Sequence, residues 1–308
     1  MGYDCIVLVK QVPDTKNITG QAMREDGTVN RAALPAIFNP EDLNALELAL
    51  QIRDAHGGTV KVITMGPPSA CEVLREALYR GADDVILLTD RRFAASDTLA
   101  TSYALSCAVR KIGRFDIILC GRQAIDGDTA QVGPQTAEKL GVDQITYVER
   151  LLRLDGDIIE VERGIDGGVE RLRCRLPVLL TVCGTANLPR PPSAKRLLAY
   201  RFHTCLPEIE NRVSQELAAQ GRSARREDVA PIAQARAAEV QRLGRLITVW
   251  DAEAVAADPA LVGGNGSPTK VKNIESVVLA GSDLVLVEPT EEGCRKLIRE
   301  LIHEHILG

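Results

Sequence analysis

The chain has few aromatic side chains: Phe, Trp and Tyr make up 3% of its 308 residues. Because hydrophobic residues still amount to 45%, the core must be built from Val, Ile, Leu and Ala. The net charge of −5 argues against a nucleic-acid binder that relies on neutralising phosphates with basic residues. No apolar run approaches the roughly 18 residues of a membrane-spanning helix, so no membrane span is expected.

Metal and redox-cysteine motifs are also absent. The eight cysteines form no C-x-x-C pair, which argues against a zinc site or a thioredoxin-type motif. His303 and His305 are spaced i, i+2 and do not share a helical face, so a solvated tail is favoured over a metal site. Several cysteines lie inside apolar runs, and Met1 leads directly into the strand-like DCIVLVK. These features predict a cytoplasmic protein without a signal peptide.

The motifs of several common enzyme classes are missing as well. No G-x-G-x-x-G follows the first apolar run, and neither a Walker A sequence nor a G-x-S-x-G elbow occurs. A standard NAD site and a P-loop NTPase are therefore disfavoured. Acid pairs such as Asp126 and Asp128 suit turns and helix caps better than acid–base catalysis. With no catalytic side chain in view, any chemistry is expected to come from a bound cofactor.

Short apolar runs alternate with helical patterns through the first two-fifths of the chain. Continuous apolar runs are typical of strands buried on both faces of a parallel sheet. Their order predicts an α/β protein with a doubly wound, mostly parallel Rossmann-like sheet. The predicted strands are Cys5–Val9, Val60–Met65, Val85–Thr89 and Phe115–Cys120, and the predicted helices lie near 41–56, 69–80 and 97–112.

The later part of the chain has a different pattern. Two alternating runs flank a GIDGG turn, which predicts an antiparallel β-hairpin near 157–174, and a buried strand follows at 177–183. Residues 206–244 predict one or two amphipathic helices. The tail predicts a loop at 263–271, a strand at 284–287 and a helix from about 291. We expect a nucleotide-binding α/β domain over 1–200, a helical insertion over 201–245 and an extended C-terminal arm over 246–308 that contacts a partner subunit. The apolar positions expected to pack within the insertion include Val229, Ile232, Ala235 and Val240.

Residues 116–141, DIILCGRQAIDGDTAQVGPQTAEKLG, are the most informative segment. A buried strand ends at Cys120-Gly121, a loop rich in Gly, Asp and Thr follows, and a helical pattern runs from about Ala130 to Leu140. The free amides and positive end of such a helix can hold a phosphate. An ordinary strand–loop–helix connection with an Asp or Thr cap explains the same pattern.

Three further loops would lie beside this one, at the carboxyl ends of the parallel strands. They read VKQVPDT, TMGPP and SDTLATS, and Ser96 or Asp97 can cap the helix that the last one opens. Open α/β sheets bind ligands at this edge. Good turn chemistry alone would explain each loop, but the four together favour a shared nucleotide site.

These motifs identify a family. The chain resembles the β subunit of electron transfer flavoproteins over nearly its whole length, apart from the helical segment near 206–244. The stretches that carry the resemblance are VLVKQVPDT, NPEDLNALELAL, TMGPP, GADDVILL, SDTLATS, ILCGRQAIDGDTAQVGP, ERGIDGG and GSPTKV. The resemblance implies a heterodimer with an α subunit and an adenine nucleotide bound in the Rossmann-like domain of this chain.

The resemblance also implies which residues bind. The loop from Gly127 to Glu138 would wrap the phosphates. The implied cofactor-binding residues are Leu8, Asn39, Pro40, Glu41, Asp42, Met65, Gly66, Ser96, Asp97, Thr98, Thr101, Gly127, Asp128, Thr129, Ala130, Gln131, Val132, Gly133, Pro134, Gln135 and Thr136. Docking of a partner dehydrogenase is implied for the stretch 186–195, chiefly through Ala186, Asn187, Leu188, Pro189 and Arg190.

The family contains two groups. Simple members hold a structural AMP in the β subunit, whereas electron-bifurcating members hold a second FAD there, to which NADH delivers electrons. The sequences VKQVPDT, SDTLATS and DGDTAQVGP resemble those of the bifurcating group, so FAD is expected, with AMP as the alternative. The expected partners are an α subunit and an acyl-CoA dehydrogenase or similar flavin dehydrogenase. A stand-alone adenine-nucleotide-binding module is the rival hypothesis, and such modules lack the hairpin and the C-terminal arm.

Overall fold

The structure, a computed structural model, describes residues 2–14, 34–269 and 286–303. Its centre is a sheet with the strand order β11-β5-β4-β1-β6-β10-β7-β8-β9. The strands from β11 to β7 pair in parallel, and β8 and β9 add antiparallel pairs at one end. The bounds of its strands are β1 Cys5–Val9, β4 Val60–Met65, β5 Asp84–Leu88, β6 Ile117–Gly121, β7 Asp143–Asp155, β8 Ile158–Ile165, β9 Gly168–Arg175, β10 Val178–Val182 and β11 Thr248–Trp250. A separate small antiparallel ribbon joins β2 Gln11–Pro13 to β3 Ala36–Phe38.

Helices cover both faces of this sheet, as the doubly wound prediction requires. The helices are α1 Pro40–His56, α2 Cys71–Arg80, α3 Thr98–Ile112, α4 Val132–Leu140, α5 Ala194–Tyr200, α6 Leu206–Ala219, α7 Arg226–Arg242, the single turn α8 Gly263–Gly266 and α9 Glu291–His303. Leu46 of α1 and Leu74 of α2 pack with Val7 on one face. Ala104 of α3 and Ala137 of α4 pack on the other face. The predicted α/β class is confirmed.

The predicted strands and helices of the first 140 residues are present. The first two strands have the predicted bounds, and the ends of other elements are shifted. The third strand is Asp84–Leu88 instead of Val85–Thr89, and the fourth is Ile117–Gly121 instead of Phe115–Cys120. Helix α2 begins at Cys71 because a 3-10 turn, Pro68–Ala70, precedes it. Sequence patterns do not fix such boundaries, because end residues belong to turns as readily as to strands or helices.

The antiparallel part is larger than a hairpin. The predicted pair around the GIDGG turn is β8 and β9, which are in register from Ile158 opposite Arg175 to Ile165 opposite Gly168. The preceding strand β7 is 13 residues long. It pairs in parallel with β10 at its start and antiparallel with β8 beyond Val148. The hairpin is thus continuous with the parallel sheet through β7.

The insertion contains both of the amphipathic helices allowed by its sequence. Helices α6 and α7 bury Val213, Val229 and Ala233 between them in a small core of their own. Ile232 and Val240 pack against it, but Ala235 is exposed, so its assignment as an apolar packing position was wrong. The helix rotates Ala233 and Ala237 inward, and Ala235 lies on the opposite face.

Residues after the insertion return to the sheet. Thr248–Trp250 forms β11 beside β5, a strand that the sequence did not predict because three residues carry no periodicity. Within the predicted loop 263–271 the described residues include α8. The predicted strand at 284–287 lies partly outside the described residues, and α9 begins at the predicted Glu291. The division into a domain, an insertion and an arm stays a prediction. No helix in the described ranges has the length and apolar character needed to cross a bilayer.

Candidate nucleotide-binding site

The topology creates a crevice between β1 and β6. These strands are neighbours, with Leu8 opposite Cys120. The chain leaves β1 towards α1 on one face of the sheet, and it leaves β6 towards α4 on the other. Ligands of open α/β sheets bind where adjacent connections diverge in this way. The loops predicted to form the site therefore meet at this point.

Asp42 links the ends of the two strands. One carboxylate oxygen accepts a hydrogen bond from the Gly121 amide and the other from the Lys10 amide, each 2.8 Å long. Burial raises the pKa of Asp42 to about 7, although these hydrogen bonds oppose the shift. A β-carbon on Gly121 would lie 2.5 Å from the same carboxylate. Gly121 therefore permits the close approach of α1 to β6.

Asn39 and Glu41 hold the loop that follows β6. The Asn39 amide group donates to the Gln123 carbonyl at 2.9 Å, and its oxygen accepts from the Ile125 amide at 3.2 Å. Glu41 accepts from the Gln123 amide at 3.0 Å and forms an ion pair with Arg122. Asn39, Glu41 and Asp42, which were predicted to contact the nucleotide, thus hold the end of β6 and the loop that follows it. Sequence reasoning missed this structural role. Direct contact of these residues with a nucleotide stays a prediction.

The loop from Gly127 to Gln131 has an unusual backbone. Asp128 and Ala130 have positive φ values of 49° and 51°, a region that residues other than glycine seldom adopt. Ala130 is followed by a right-handed Gln131, and this alternation turns successive amides towards one point, as in anion-binding nests. In the described part of the chain, the amides of Thr129, Ala130 and Gln131 make no hydrogen bond.

Gly133 seats the start of α4 on the sheet. A β-carbon there would lie 2.8 Å from both Cys120 Sγ and Thr181 Cγ2. This close contact between α4 and the sheet explains why the loop sequence DGDTAQVGP has a glycine at position 133. Thr136 is fully buried one turn later and donates to the Val132 carbonyl at 2.7 Å, so its hydroxyl stabilises α4. The side-chain oxygen of the neighbouring Gln135 is buried and has no partner among the described residues.

The N-terminus of α3 lies beside that of α4. The Thr98 hydroxyl donates to the Gln131 side-chain oxygen at 2.9 Å, which connects the two helix starts. Asp97 caps α3 by accepting from the Ala100 amide at 3.0 Å, so the capping prediction is confirmed for Asp97. Burial alone would raise the pKa of Asp97, but hydrogen bonds from the Ala100 and Thr269 amides outweigh it and lower the pKa.

The late GSPTKV segment also reaches this site. Ser267 accepts from the Asp97 amide at 2.8 Å, and the Thr269 amide donates to the Asp97 carboxylate at 3.0 Å. Ser96, the alternative cap, instead accepts from the Gly263 amide at 3.1 Å. Sequence reasoning missed these contacts because about 170 residues separate the segments. The only signal was the presence of GSPTKV among the motifs of the resemblance.

The remaining predicted positions line the same edge with different exposure. Leu8 is 4% exposed and packs in the core below α3 and α4. Met65 ends β4 and Gly66 follows it, and both residues are half-buried. The Gly66 amide donates to the Leu88 carbonyl. Lys10, which the predictions did not include, forms an ion pair with Asp126 at 2.7 Å. It supplies a cation next to the loop that follows β6.

Comparison with known proteins assigns the family. A family model described as "Electron transfer flavoprotein domain" matches residues 26–199, more than half of the chain. The chain belongs to the electron transfer flavoprotein family. Its resemblance to the β subunit is confirmed, because "Electron transfer flavoprotein subunit beta" of Clostridium acetobutylicum is 36% identical over 302 residues, which cover 98% of this chain and 99% of that protein.

Other relatives of the electron transfer flavoprotein family align at similar length. The subunit beta of Megasphaera elsdenii is 40% identical over 290 residues, covering 92% of this chain and 91% of that protein. "Caffeyl-CoA reductase-Etf complex subunit CarD" of Acetobacterium woodii is 36% identical over 305 residues, covering 98% and 99%. These alignments include the hairpin and the C-terminal segments, which a stand-alone nucleotide-binding module lacks.

The segment predicted to dock a partner is held on α1. The Asn187 amide group donates to the Asn44 carbonyl at 3.0 Å, and Arg190 pairs with Glu47 at 2.8 Å. Between these contacts Leu188 is 90% exposed. The segment therefore holds one apolar side chain out into solvent from a fixed backbone. Sequence reasoning left undecided which side chain of this segment would contact a partner, and in the structure Leu188 is its exposed leucine.

Proposed function

We propose that this electron transfer flavoprotein β subunit binds FAD, with AMP as the alternative, in the crevice between β1 and β6. The observation that carries the proposal is that the N-termini of α3 and α4 lie next to the amides of Thr129, Ala130 and Gln131. These three amides make no hydrogen bond to the described residues. Helix N-termini and oriented amides favour a phosphate group. The donor set therefore fits a nucleotide phosphate, and when bound, the flavin would supply the electron-carrying chemistry.

Two helix starts support a dinucleotide over a mononucleotide. AMP has one phosphate, which the start of α4 alone would satisfy, whereas FAD carries a pyrophosphate. The half-buried Thr101 side chain on α3 is short and offers a hydroxyl group to a second phosphate or a ribose. The neighbouring Thr98 hydroxyl, whose proton goes to Gln131, can still accept from a ribose hydroxyl. Similarity to a subunit of a caffeyl-CoA reductase complex over nearly the whole of both chains supports the bifurcating group, with NADH as electron donor.

The proposed partners are an α subunit and an acyl-CoA dehydrogenase or similar flavin dehydrogenase. Helix α9 supports the α subunit as a partner. No residue of this helix is buried, and its Leu297, Ile298 and Ile302 side chains are exposed. Exposed apolar surface of this kind is typical of an interface. Leu188 supports the second, because one apolar side chain on a fixed segment can fill a pocket of a partner. The complex would carry electrons between NADH or this dehydrogenase and a downstream acceptor. Two partner surfaces would let electrons enter and leave at different places.

A double variant tests the placement of the phosphate loop. Asp128→Ala with Thr129→Val, in a co-expressed complex with the α subunit, is expected to lower nucleotide occupancy after gel filtration. Asp128 accepts from the Gln123 side chain at 3.0 Å, so its loss loosens the loop that presents the amides. Asp157→Ala, an exposed position in the turn between β7 and β8, is the matched control. Full occupancy in the double variant would contradict the placement.

A further inference from the structure

Two cysteines from distant parts of the chain meet beneath the helical insertion. Cys71 is the first residue of α2, and Cys205 immediately precedes α6. Both side chains are fully buried. Their sulfur atoms and a carboxylate oxygen of Glu208 lie within 4.8 Å of one another. Closing the two sulfurs to the about 2.05 Å of a disulfide therefore requires a shift of less than about 3 Å.

Polar contacts fix the two helix starts relative to each other. Arg75 of α2 pairs with Glu208 of α6 at 2.9 Å, and both partners are largely buried. The same guanidinium donates to the His203 carbonyl at 3.1 Å. The base of the insertion is thus held against α2 on both sides of Cys205. The cysteine pair is consequently held in place before any bond forms between the sulfurs.

The two thiols have different environments. A hydrogen bond with the Cys71 thiol lowers the pKa of Cys205, and a hydrogen bond from the Glu208 amide at the start of α6 adds to this effect. Together they outweigh burial, which alone would raise the pKa. The same interaction between the thiols, together with burial, raises the pKa of Cys71. Cys205 is therefore the side chain that ionises first, and thiolates are the reactive form of cysteine.

A cavity lies next to this region. Its volume is about 350 Å³, and its lining includes Arg75, Tyr79 and His203. Arg75 lies one helical turn after Cys71, and His203 lies two residues before Cys205. The cavity therefore borders both segments that carry the cysteines.

We propose that Cys71 and Cys205 form a redox-active pair that a hydroperoxide converts to a disulfide. The Cys205 thiolate attacks one peroxide oxygen, the O–O bond breaks, and hydroxide leaves, so that the sulfur becomes a sulfenic acid. The Cys71 sulfur then attacks that sulfur, the S–O bond breaks, and the Cys71 proton leaves with the oxygen as water. In total, two thiols and hydrogen peroxide give one disulfide and two waters. The bond joins α2 to α6 and fixes the insertion on the nucleotide-binding body.

The contacts of Glu208 favour this reaction over metal binding. Both of its oxygens already accept hydrogen bonds from Arg75, and one also accepts from the Thr204 hydroxyl at 2.8 Å. A zinc ion would have to share this carboxylate with a guanidinium. The pair is also independent of the proposed function, because no flavin or nucleotide takes part in the reaction.

Thiol counting by mass spectrometry tests the proposal. Cys294→Ser removes the exposed cysteine and serves as the background. After treatment with hydrogen peroxide, alkylation is expected to show two thiols lost, with the Cys71 and Cys205 peptides linked and both thiols recovered on reduction. The oxidised protein should also unfold at a higher temperature than the reduced protein.

Two cysteine variants and a zinc measurement on the untreated protein distinguish disulfide formation from the other possible outcomes. Cys205→Ser is expected to abolish the linked peptides, whereas Cys174→Ser, at a half-buried strand position, should retain them. The peptide measurement on the background chain does not depend on these variants folding. The proposal would be overturned if Cys71 and Cys205 stayed unlinked under conditions that oxidise Cys174. It would also be overturned if the purified protein contained one zinc ion per chain and the two thiols reacted only after a chelator had removed that zinc.

Discussion

At the scale of single residues, the site depends on a few side chains that organise backbone. Asp42 joins the ends of β1 and β6 through two amides, and Asn39 joins α1 to the loop after β6. Neither role is visible in the local sequence, because Lys10 lies 32 residues from Asp42 and the other partners lie about 80 residues away. The left-handed backbone at Asp128 and Ala130 is also not visible in the sequence, because neither residue type indicates this conformation as strongly as glycine does.

Gly121→Ala tests the close approach of α1 to β6. The added β-carbon would lie 2.5 Å from the Asp42 carboxylate and 2.8 Å from its backbone nitrogen, so α1 must move. We expect a loss of about 1–3 kcal/mol in the free energy of unfolding. Gly127→Ala is the matched control, because a β-carbon there meets nothing within 4 Å. Urea denaturation compares the two, and equal stability would contradict the role of Gly121.

The buried carboxyl of Asp42 predicts a pH dependence. Its pKa is raised to about 7, whereas an unfolded Asp has a pKa of about 3.9. Between these values the folded chain keeps a proton that the unfolded chain has lost, so the contribution of Asp42 to stability falls as the pH rises. The stability difference between wild type and Asp42→Asn should therefore shrink from about pH 5 to about pH 8. A constant difference in urea titrations would contradict the raised pKa.

At the scale of helices and strands, the sequence predicted the elements that have a clear hydrophobic pattern. Strands β1, β4, β5 and β6 and helices α1 to α4 follow from apolar runs and helical patterns. The three-residue β11 and the long β7, which changes from parallel to antiparallel pairing, depend on tertiary contacts instead. The capping role of Asp97 was predictable from type and position, but its contact with Thr269 was not.

Asp97→Ala tests the start of α3. Removing the carboxylate leaves the Ala100 and Thr269 amides without their acceptor, and loss of a helix cap costs about 1 kcal/mol. We expect that decrease in the free energy of unfolding, measured by urea denaturation. Ser193→Ala is the control, because Ser193 precedes α5 at the equivalent position without a side-chain cap bond. If both variants lose the same stability, Asp97 does not act as a cap.

At the scale of the whole molecule, the proposed binding surfaces are separate. The crevice lies at the carboxyl ends of β1 and β6, whereas the segment with Leu188 is held on α1 by Asn187 and Arg190. The insertion joins the body through Arg75 and Glu208. We therefore expect that substitutions can alter nucleotide binding and partner docking independently.

Leu188→Ala tests that separation. The contact with the partner dehydrogenase should weaken, and the KM for electron transfer from it should rise about tenfold, which corresponds to about 1.4 kcal/mol. Nucleotide occupancy and the unfolding temperature should stay unchanged, because Leu188 is 90% exposed. Leu243→Ala, at another exposed leucine at the end of α7, is the control. An unchanged KM for Leu188→Ala would place the docking surface elsewhere.

The most direct test of the central claim is a count of the nucleotides in the purified complex with the α subunit. The complex is denatured, and the released FAD and AMP are separated by chromatography and quantified against the protein. We predict two FAD per heterodimer, one of them held by this chain. One FAD with one AMP would contradict FAD binding here and leave a structural nucleotide, and the absence of any second nucleotide would contradict the site itself.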